Sequence, residues 1–446
     1  MSSPAAPSGV ALATAGWGRA TRQGAIAFLI VAAVAEGAAL VAVLLGGVGR
    51  SPLDVARIGG AELALVHRVP LRLSAEGTDL WLATVVGAPA GARSLDVQLT
   101  AALLGATALA AWRLWRAGHA TAAALGGGPA ARALHGAKVA PAYAILVALA
   151  TLPARLALRP AALDLRVELS VAPLAAFLLP LALAGAAGAA GGWWSSDAGG
   201  AARAAVLGGW TMLLASLGLT LGGLVVAGAV RPEGPEGLVT PTTGRYVRAV
   251  LAHPGAGAAI LAHHVTALPN EAVWALAPAM GGCTGAFPSP GKPTAFLCPG
   301  RFPLEVGLPV WLRPPGAEAG ETRFGPAPWP YLVFLAVPAA GSLLGGRRAG
   351  AAAEGRRRLA AGVGAGVVFA ALVLVVGWAS SLSLSSAATT PDGIRTSAVR
   401  LGPDLVSGGI LALGWGVAGG ALGAALVGLG NPAERARLRA RRSGSR

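Results

Sequence analysis

Charge is scarce in this 446-residue chain: Asp, Glu, Lys and Arg together make up 12% of it. A soluble domain carries about twice that share, so a water-exposed surface of ordinary extent could not be covered. Cysteine is almost absent, with only Cys283 and Cys298. That excludes a disulfide-built miniature scaffold and a multi-cysteine zinc module. Lysine is nearly missing too, at Lys138 and Lys292 alone, so arginine supplies the basic charge. The usual chemical signatures are also lacking. There is no G-x-x-x-x-G-K-[ST] phosphate loop, no G-x-S-x-G elbow and no H-E-x-x-H zinc helix. Gly126–Gly128 is a plain glycine run, and the serines of 380–386 have no His or Asp set around them. A protein that is not an enzyme, and that needs no cofactor, is expected.

What the chain does have is apolar length. Hydrophobic residues make up 54% of it, and they are blocked into runs rather than spread at a short period. Runs of about 18 or more apolar residues read as membrane-spanning helices. Eight are expected, at roughly 24–49, 95–114, 139–155, 171–192, 203–230, 328–346, 359–380 and 404–430. Continuous rather than alternating runs exclude a membrane barrel, so the expected fold class is all-α, a polytopic membrane protein. The formal charge of +16 does not indicate nucleic acid, because the basic residues flank the apolar runs. The partners expected are the lipid bilayer and other membrane proteins. The first run is longer than a signal-peptide core and reads as an uncleaved helix.

Arginine density sets the expected orientation. Arg19 and Arg22, then Arg113, Arg116, Arg132 and Lys138, then Arg203, then Arg347, Arg348, Arg356, Arg357 and Arg358 fall in short pieces on one side. The tail 431–446 adds Arg435, Arg437, Arg439, Arg441, Arg442 and Arg446. A multi-pass protein of the plasma membrane with both termini in the cytoplasm follows. Within 231–327, the stretch 246–282 is apolar but broken by Pro254, Pro269 and Pro278. It is expected to be a re-entrant hairpin entering from the outer face. Cys283 and Cys298 then lie outside, in the loop 283–327, where an oxidising compartment permits a disulfide. Two inert thiols or a metal site are the alternatives.

Two segments look alike. Leu65-Val66-His67-Arg68-Val69-Pro70 is followed by Asp79 and Trp81, and Leu261-Ala262-His263-His264-Val265 is followed by Pro269, Glu271 and Trp274. A parallel 4+4 repeat is therefore expected, with membrane halves at 1–200 and 201–430. Two broken outer hairpins would meet at a polar site of Glu36, His67, Asp79, His263, His264, Asn270 and Glu271. Bland readings stand beside this one. The adjacent histidines lack the spacing of a zinc site. Asn270 and Glu271 after Pro269 fit a helix start. Glu36 lies in mid-helix, where an ionisable group is costly and a site candidate by default, although protonated packing would also serve.

The segments GGAELALVHRVPLRL (59–73), WRLWRAGHA (112–120) and LPNEAVWALAPAMGG (268–282) resemble actinobacterial multi-spanning families, the streptophobe-like and PerM-like cell-division membrane proteins. The family segment is of the Leu-Ala-His-Gly type, where this chain has Leu65-Val66-His67-Arg68. The resemblance implies an envelope or cell-division role exercised through membrane partners, and it supplies no catalytic residues. A permease or channel using the two broken hairpins is the alternative.

Overall fold

The structure is a computed structural model that describes residues 14–46, 51–77, 94–158, 165–196, 200–230, 268–289, 294–297, 334–355, 357–390 and 393–430. They fall into two compact units. The first holds 14–196 with Leu382–Ala398, and the second holds the remaining described residues. In chain order the elements are α1 (Trp17–Gly46), α2 (Pro52–Val66), β1 (Leu71–Gly77), β2 (Ser94–Thr100), α3 (Leu104–Leu125), α4 (Pro129–Ala137), α5 (Ala140–Ala150), β3 (Leu156–Leu158), β4 (Leu165–Val171) and α6 (Pro173–Trp194). Then come α7 (Gly200–Val230), a helix α8 described over 268–279, β5 (Thr284–Ser289), β6 (Thr294–Leu297), α9 (Ala336–Ala352), α10 (Arg357–Ser380), β7 (Leu382–Thr390), β8 (Gly393–Pro403) and α11 (Leu405–Gly430).

Six helical stretches among the described residues are long and apolar enough to cross a membrane: Trp17–Leu44, Pro129–Ala150, Pro173–Trp194, Gly200–Gly223, Arg357–Ser380 and Leu405–Gly428. They define a multi-pass membrane protein. The other two expected spans are helical but less apt. α9 has 17 residues, and α3 carries Arg113, Arg116 and His119.

The all-α expectation is corrected by strands. Hairpins join consecutive helices, and β1, β2 and β4 form an antiparallel sheet with β7 in the first unit, ordered β3-β4-β1-β2-β7-β8. The run 95–114 is in fact a strand, a short gap and then α3. Leu95, Val97 and Leu99 alternate with Asp96 and Gln98, which is the period of a half-buried strand and not of a helix.

The two helical clusters are built alike. In the first unit α3 and α4 both lie against α6, and α1 lies against α3 and α5. In the second, α9 and α10 both lie against α11, and α7 lies against α9 and α10. The closest approaches match residue for residue. Gly118 of α3 and Gly136 of α4 both abut the carbonyl of Gly188 on α6. Gly346 of α9 and Gly362 of α10 both abut the carbonyl of Gly420 on α11. Gly191 meets the Trp115 carbonyl as Gly423 meets that of Leu343. Gly24 meets the Val139 carbonyl as Gly209 meets that of Ala365. At each crossing there is no room for a side chain, so backbone lies on backbone, as lipid-embedded helices favour. Around these crossings pack Ala, Val and Leu, with Tyr143 fully buried in one cluster and Phe369 in the other.

A methyl group added at Gly420 would run into the Gly362 carbonyl oxygen, whereas one at Gly414 meets nothing within 4 Å. Overpacking costs about 1–3 kcal/mol. Gly420→Ala should therefore lower the thermal unfolding midpoint of the detergent-solubilised protein, and Gly414→Ala should leave it unchanged or raise it.

Candidate functional site

The side chains of the sheet separate cleanly by face. On β1, Leu71 and Ala75 are buried, while Arg72 and Glu76 are exposed. Pairing carries this pattern across the strands. Arg72 sits opposite Gln98 of β2 and Ser170 of β4, Ser74 opposite Asp96 and Glu168, and Glu76 opposite Ser94 and Arg166. Gln98 in turn faces Ser385 of β7. The other face is Leu71 and Leu73 beside Leu99, Val97, Val171 and Leu169. This face joins a buried cluster with Ala64 and Val69 at the end of α2 and Ala176 of α6. One face is therefore seated on the helices, and the other is a polar surface with charges of both signs. Sequence reading missed Arg72, Asp96, Gln98 and Glu168 as a group. Their signal was the alternation in Leu71-Arg72-Leu73-Ser74 and Leu165-Arg166-Val167-Glu168.

The sheet is reached through short capped helices. α2 begins in a capping box: the Asp54 N–H donates to the Ser51 hydroxyl at 3.3 Å, and the Ser51 N–H donates to the Asp54 carboxylate at 3.1 Å. It ends in a Schellman turn, with the Val69 N–H on the Ala64 carbonyl and the Arg68 N–H on that of Leu65. Arg68 takes the left-handed position at φ 58°, which glycine usually holds. α8 ends the same way. The Gly282 N–H donates to the Ala277 carbonyl and the Gly281 N–H to that of Pro278, with Gly281 at φ 99°. This register sets Met280 at the position in α8 that His67 holds in α2.

His67 is fully buried at the end of α2. Its Nδ1 lies 2.7 Å from the Leu63 carbonyl and its Nε2 lies 2.8 Å from the Tyr143 hydroxyl. A carbonyl only accepts, so Nδ1 carries the proton and Nε2 accepts from Tyr143. Burial holds the imidazole neutral, with its pKa lowered to about 4. Glu36 lies over Gly59 of α2, and its charged neighbour is another carboxylate, Glu62 of the same helix. Asn270 lies inside α8 and not at its cap. It and Trp274 both donate to the carbonyl of Ser380, at 3.4 Å and 3.1 Å, serving an orphan acceptor at the end of α10. Burial pushes Glu271 up to about 7.

The structure thus brings Glu36 onto α2 near Glu62, with His67 at that helix's end, and sets Asn270 and Glu271 together on α8. Asp79, His263 and His264 lie outside the described residues. Cys283 is disulfide-bonded, and the sequence holds one other cysteine, Cys298. Cys283 begins the β5–β6 hairpin, and its carbonyl accepts the N–H of Asp404, which caps α11 through Val406. Among the described residues no group of three or more His, Cys, Asp and Glu is placed to hold a metal. No family model, curated protein or solved structure matches the chain.

The two perturbed groups act on stability in opposite senses. The folded pKa of His67 is below the ordinary imidazole value of 6.5, so its contribution is present above pH 6.5 and lost as pH falls toward 4. The folded pKa of Glu271 is above the ordinary carboxyl value of 4.5, so its contribution is present below pH 4.5 and lost as pH rises through 7. Thermal unfolding from pH 7.5 to 5 should therefore show partial cancellation. Glu271→Gln should make the protein lose stability on acidification more steeply than wild type, and His67→Gln should make it lose less. Tyr143→Phe removes a buried donor to His67 and should cost about 1–3 kcal/mol.

Proposed function

We propose that this protein is a non-enzymatic component of the cell membrane that holds a polar β-sheet at the outer surface for other envelope or division proteins to bind. The observation that carries this reading is the two-faced sheet, with Leu71, Leu73, Leu99 and Val171 against the helices and Arg72, Asp96, Glu76, Gln98 and Ser170 away from them. A surface of paired strands with mixed charge suits protein recognition better than passage of a solute. The helix clusters favour the same reading, because among the described residues the helices meet through close glycine crossings and Ala/Leu packing.

Orientation and ancestry are part of the proposal. The chain crosses the membrane eight times, with α3 and α9 as the two additional spans and both ends inside. Support comes from the chain order. Among the described residues each strand pair follows one helix and precedes the next, and Arg132, Arg203 and Arg357 fall near the connections between the other helices. The Cys283 disulfide supports an oxidising compartment for β5. The two halves are copies of one four-helix ancestor, each running helix, short capped helix, hairpin, helix, helix, hairpin, helix once α4 and α5 are counted together. The matched glycines around Gly188 and Gly420 support duplication better than the histidine motif does. The resemblance to the streptophobe-like and PerM-like proteins points to the same envelope role.

Single cysteines at Asp96 and Arg116 test the map, since both native cysteines are expected to be bridged. A membrane-impermeant maleimide added to whole cells should label Asp96→Cys and not Arg116→Cys; the reverse would end the proposal. A photocrosslinking residue at Arg72 or Asp96 should capture discrete envelope proteins, and the charge reversal Asp96→Lys should abolish capture without altering thermal stability. If crosslinks form only along lipid-facing positions such as Leu29, the sheet is not the binding surface.

A further inference from the structure

One end of the first helical cluster carries more aromatic and basic side chains than its packing needs. Trp112, Trp115, Arg116 and His119 of α3 line an open cleft of about 350 Å³. The guanidinium groups of Arg113 and Arg116 both stack on the Trp112 ring, 5.5 and 5.4 Å from its centroid. Trp115 continues the cluster, against His119 at 5.8 Å and edge-on to Trp194 of α6 at 6.4 Å, with Trp193 beyond. α3 has no acidic residue. The Nε of Arg113 is buried with no hydrogen-bond acceptor among the described residues.

The second cluster shows that this is no folding requirement. Gly118 and Trp115 occupy the crossing positions that Gly346 and Leu343 occupy there. The same spacing sets Ala340, Gly341, Leu343 and Leu344 where α3 has Trp112, Arg113, Trp115 and Arg116. Counting likewise from Gly188 and Gly420, Trp193 and Trp194 correspond to Ala425 and Leu426. The four-helix arrangement forms without the indoles and guanidiniums, so they are there for something else.

The level of the cleft identifies its occupant. The Trp115 carbonyl abuts Gly191, and the apolar span containing Gly191 ends at Trp194, so the cleft opens where hydrocarbon gives way to headgroups. Indoles favour that depth, and guanidiniums beside it attract lipid phosphates. We propose that this cleft seats the phosphate headgroup of an anionic membrane lipid, with Arg116 and His119 as donors, the Arg113 guanidinium adding positive charge from its place on the Trp112 ring, and the Trp112 and Trp115 rings along the glycerol and upper chain. It goes beyond the sheet's role and stands independently of it.

Native mass spectrometry of the full-length protein in detergent tests the assignment, with phosphatidylglycerol, phosphatidylcholine and inorganic phosphate as separate probes. Phosphatidylglycerol should be retained and phosphatidylcholine should not. Loss of each guanidinium should weaken phosphatidylglycerol by about fivefold, so Arg113→Gln/Arg116→Gln should lose about 25-fold, and Arg116→Lys should keep most of the binding. Arg347→Gln/Arg348→Gln in the second cluster should bind as wild type. Equal retention of both lipids by the wild-type protein would overturn the proposal without recourse to any variant. So would undiminished phosphatidylglycerol binding by the double variant, or displacement of the lipid by inorganic phosphate at low millimolar concentration, which would make the cleft a soluble-anion site.

Discussion

Everything in the helical clusters depends on backbone meeting backbone at Gly188 and Gly420. Between helices in lipid the hydrophobic effect supplies little, because a leucine gains nothing by leaving one hydrocarbon for another. Close contact must then come from surfaces that fit without side chains in the way. Gly118 and Gly136 close on one carbonyl, and Gly346 and Gly362 close on its counterpart. From that node the positions of three helices follow in each cluster, and with them the ends from which the hairpins spring. Large apolar side chains such as Leu29, Leu174 and Leu214 can then point outward without penalty.

The sheet is the consequence of what those ends must do with their orphan carbonyls and N–H groups. A helix ending in water leaves four of each. Here the ends are closed by defined devices: the capping box at Ser51, the Schellman turns at Arg68 and Gly281, and indole and amide donors onto Ser380. The chain then enters strands whose backbone groups pair with each other. Alternating Leu and Val keep the lower face on the helices, while the upper face is free to carry charge. A protein with 12% charged residues thus places several of them together on one exposed face.

Much of the helical part was legible in the sequence, because a long apolar run dominates every other signal in its window. That same dominance hid the strands. Leu95-Asp96-Val97-Gln98-Leu99 adjoins the α3 run, and averaging over about 20 residues merges the two into one helix. Read at period two, it is a half-buried strand. The capping box was equally readable in Ser51-Pro52-Leu53-Asp54. The partners of single residues were not. His67 finds Tyr143 at 76 residues' separation, and Glu36 finds another acid, Glu62, instead of a base. Such pairings are set by helix rotation, which the apolar pattern of a lipid-exposed helix does not fix, since all its faces are greasy.

Short motifs and backbone geometry carry different weight in a chain of this composition. In Ala-, Leu- and Gly-rich sequence a shared His followed by Pro and Trp is weak evidence. Geometry constrains more. The Schellman turn at Arg68 and the one at Gly281 give the two short helices a common register, and in that register a histidine corresponds to a methionine. At the glycine crossings the second cluster likewise has Phe369 where the first has Tyr143, counting from Val139 and Ala365. The hydrogen-bonded His67–Tyr143 pair of one half is therefore matched by an apolar Met280–Phe369 pair in the other, where both side chains share one buried cluster. Since each arrangement satisfies its own polar groups, neither is a defect of the other. The fold tolerates both, so the polar pair and the Trp–Arg cluster are features that distinguish the first half from the second rather than conditions of folding.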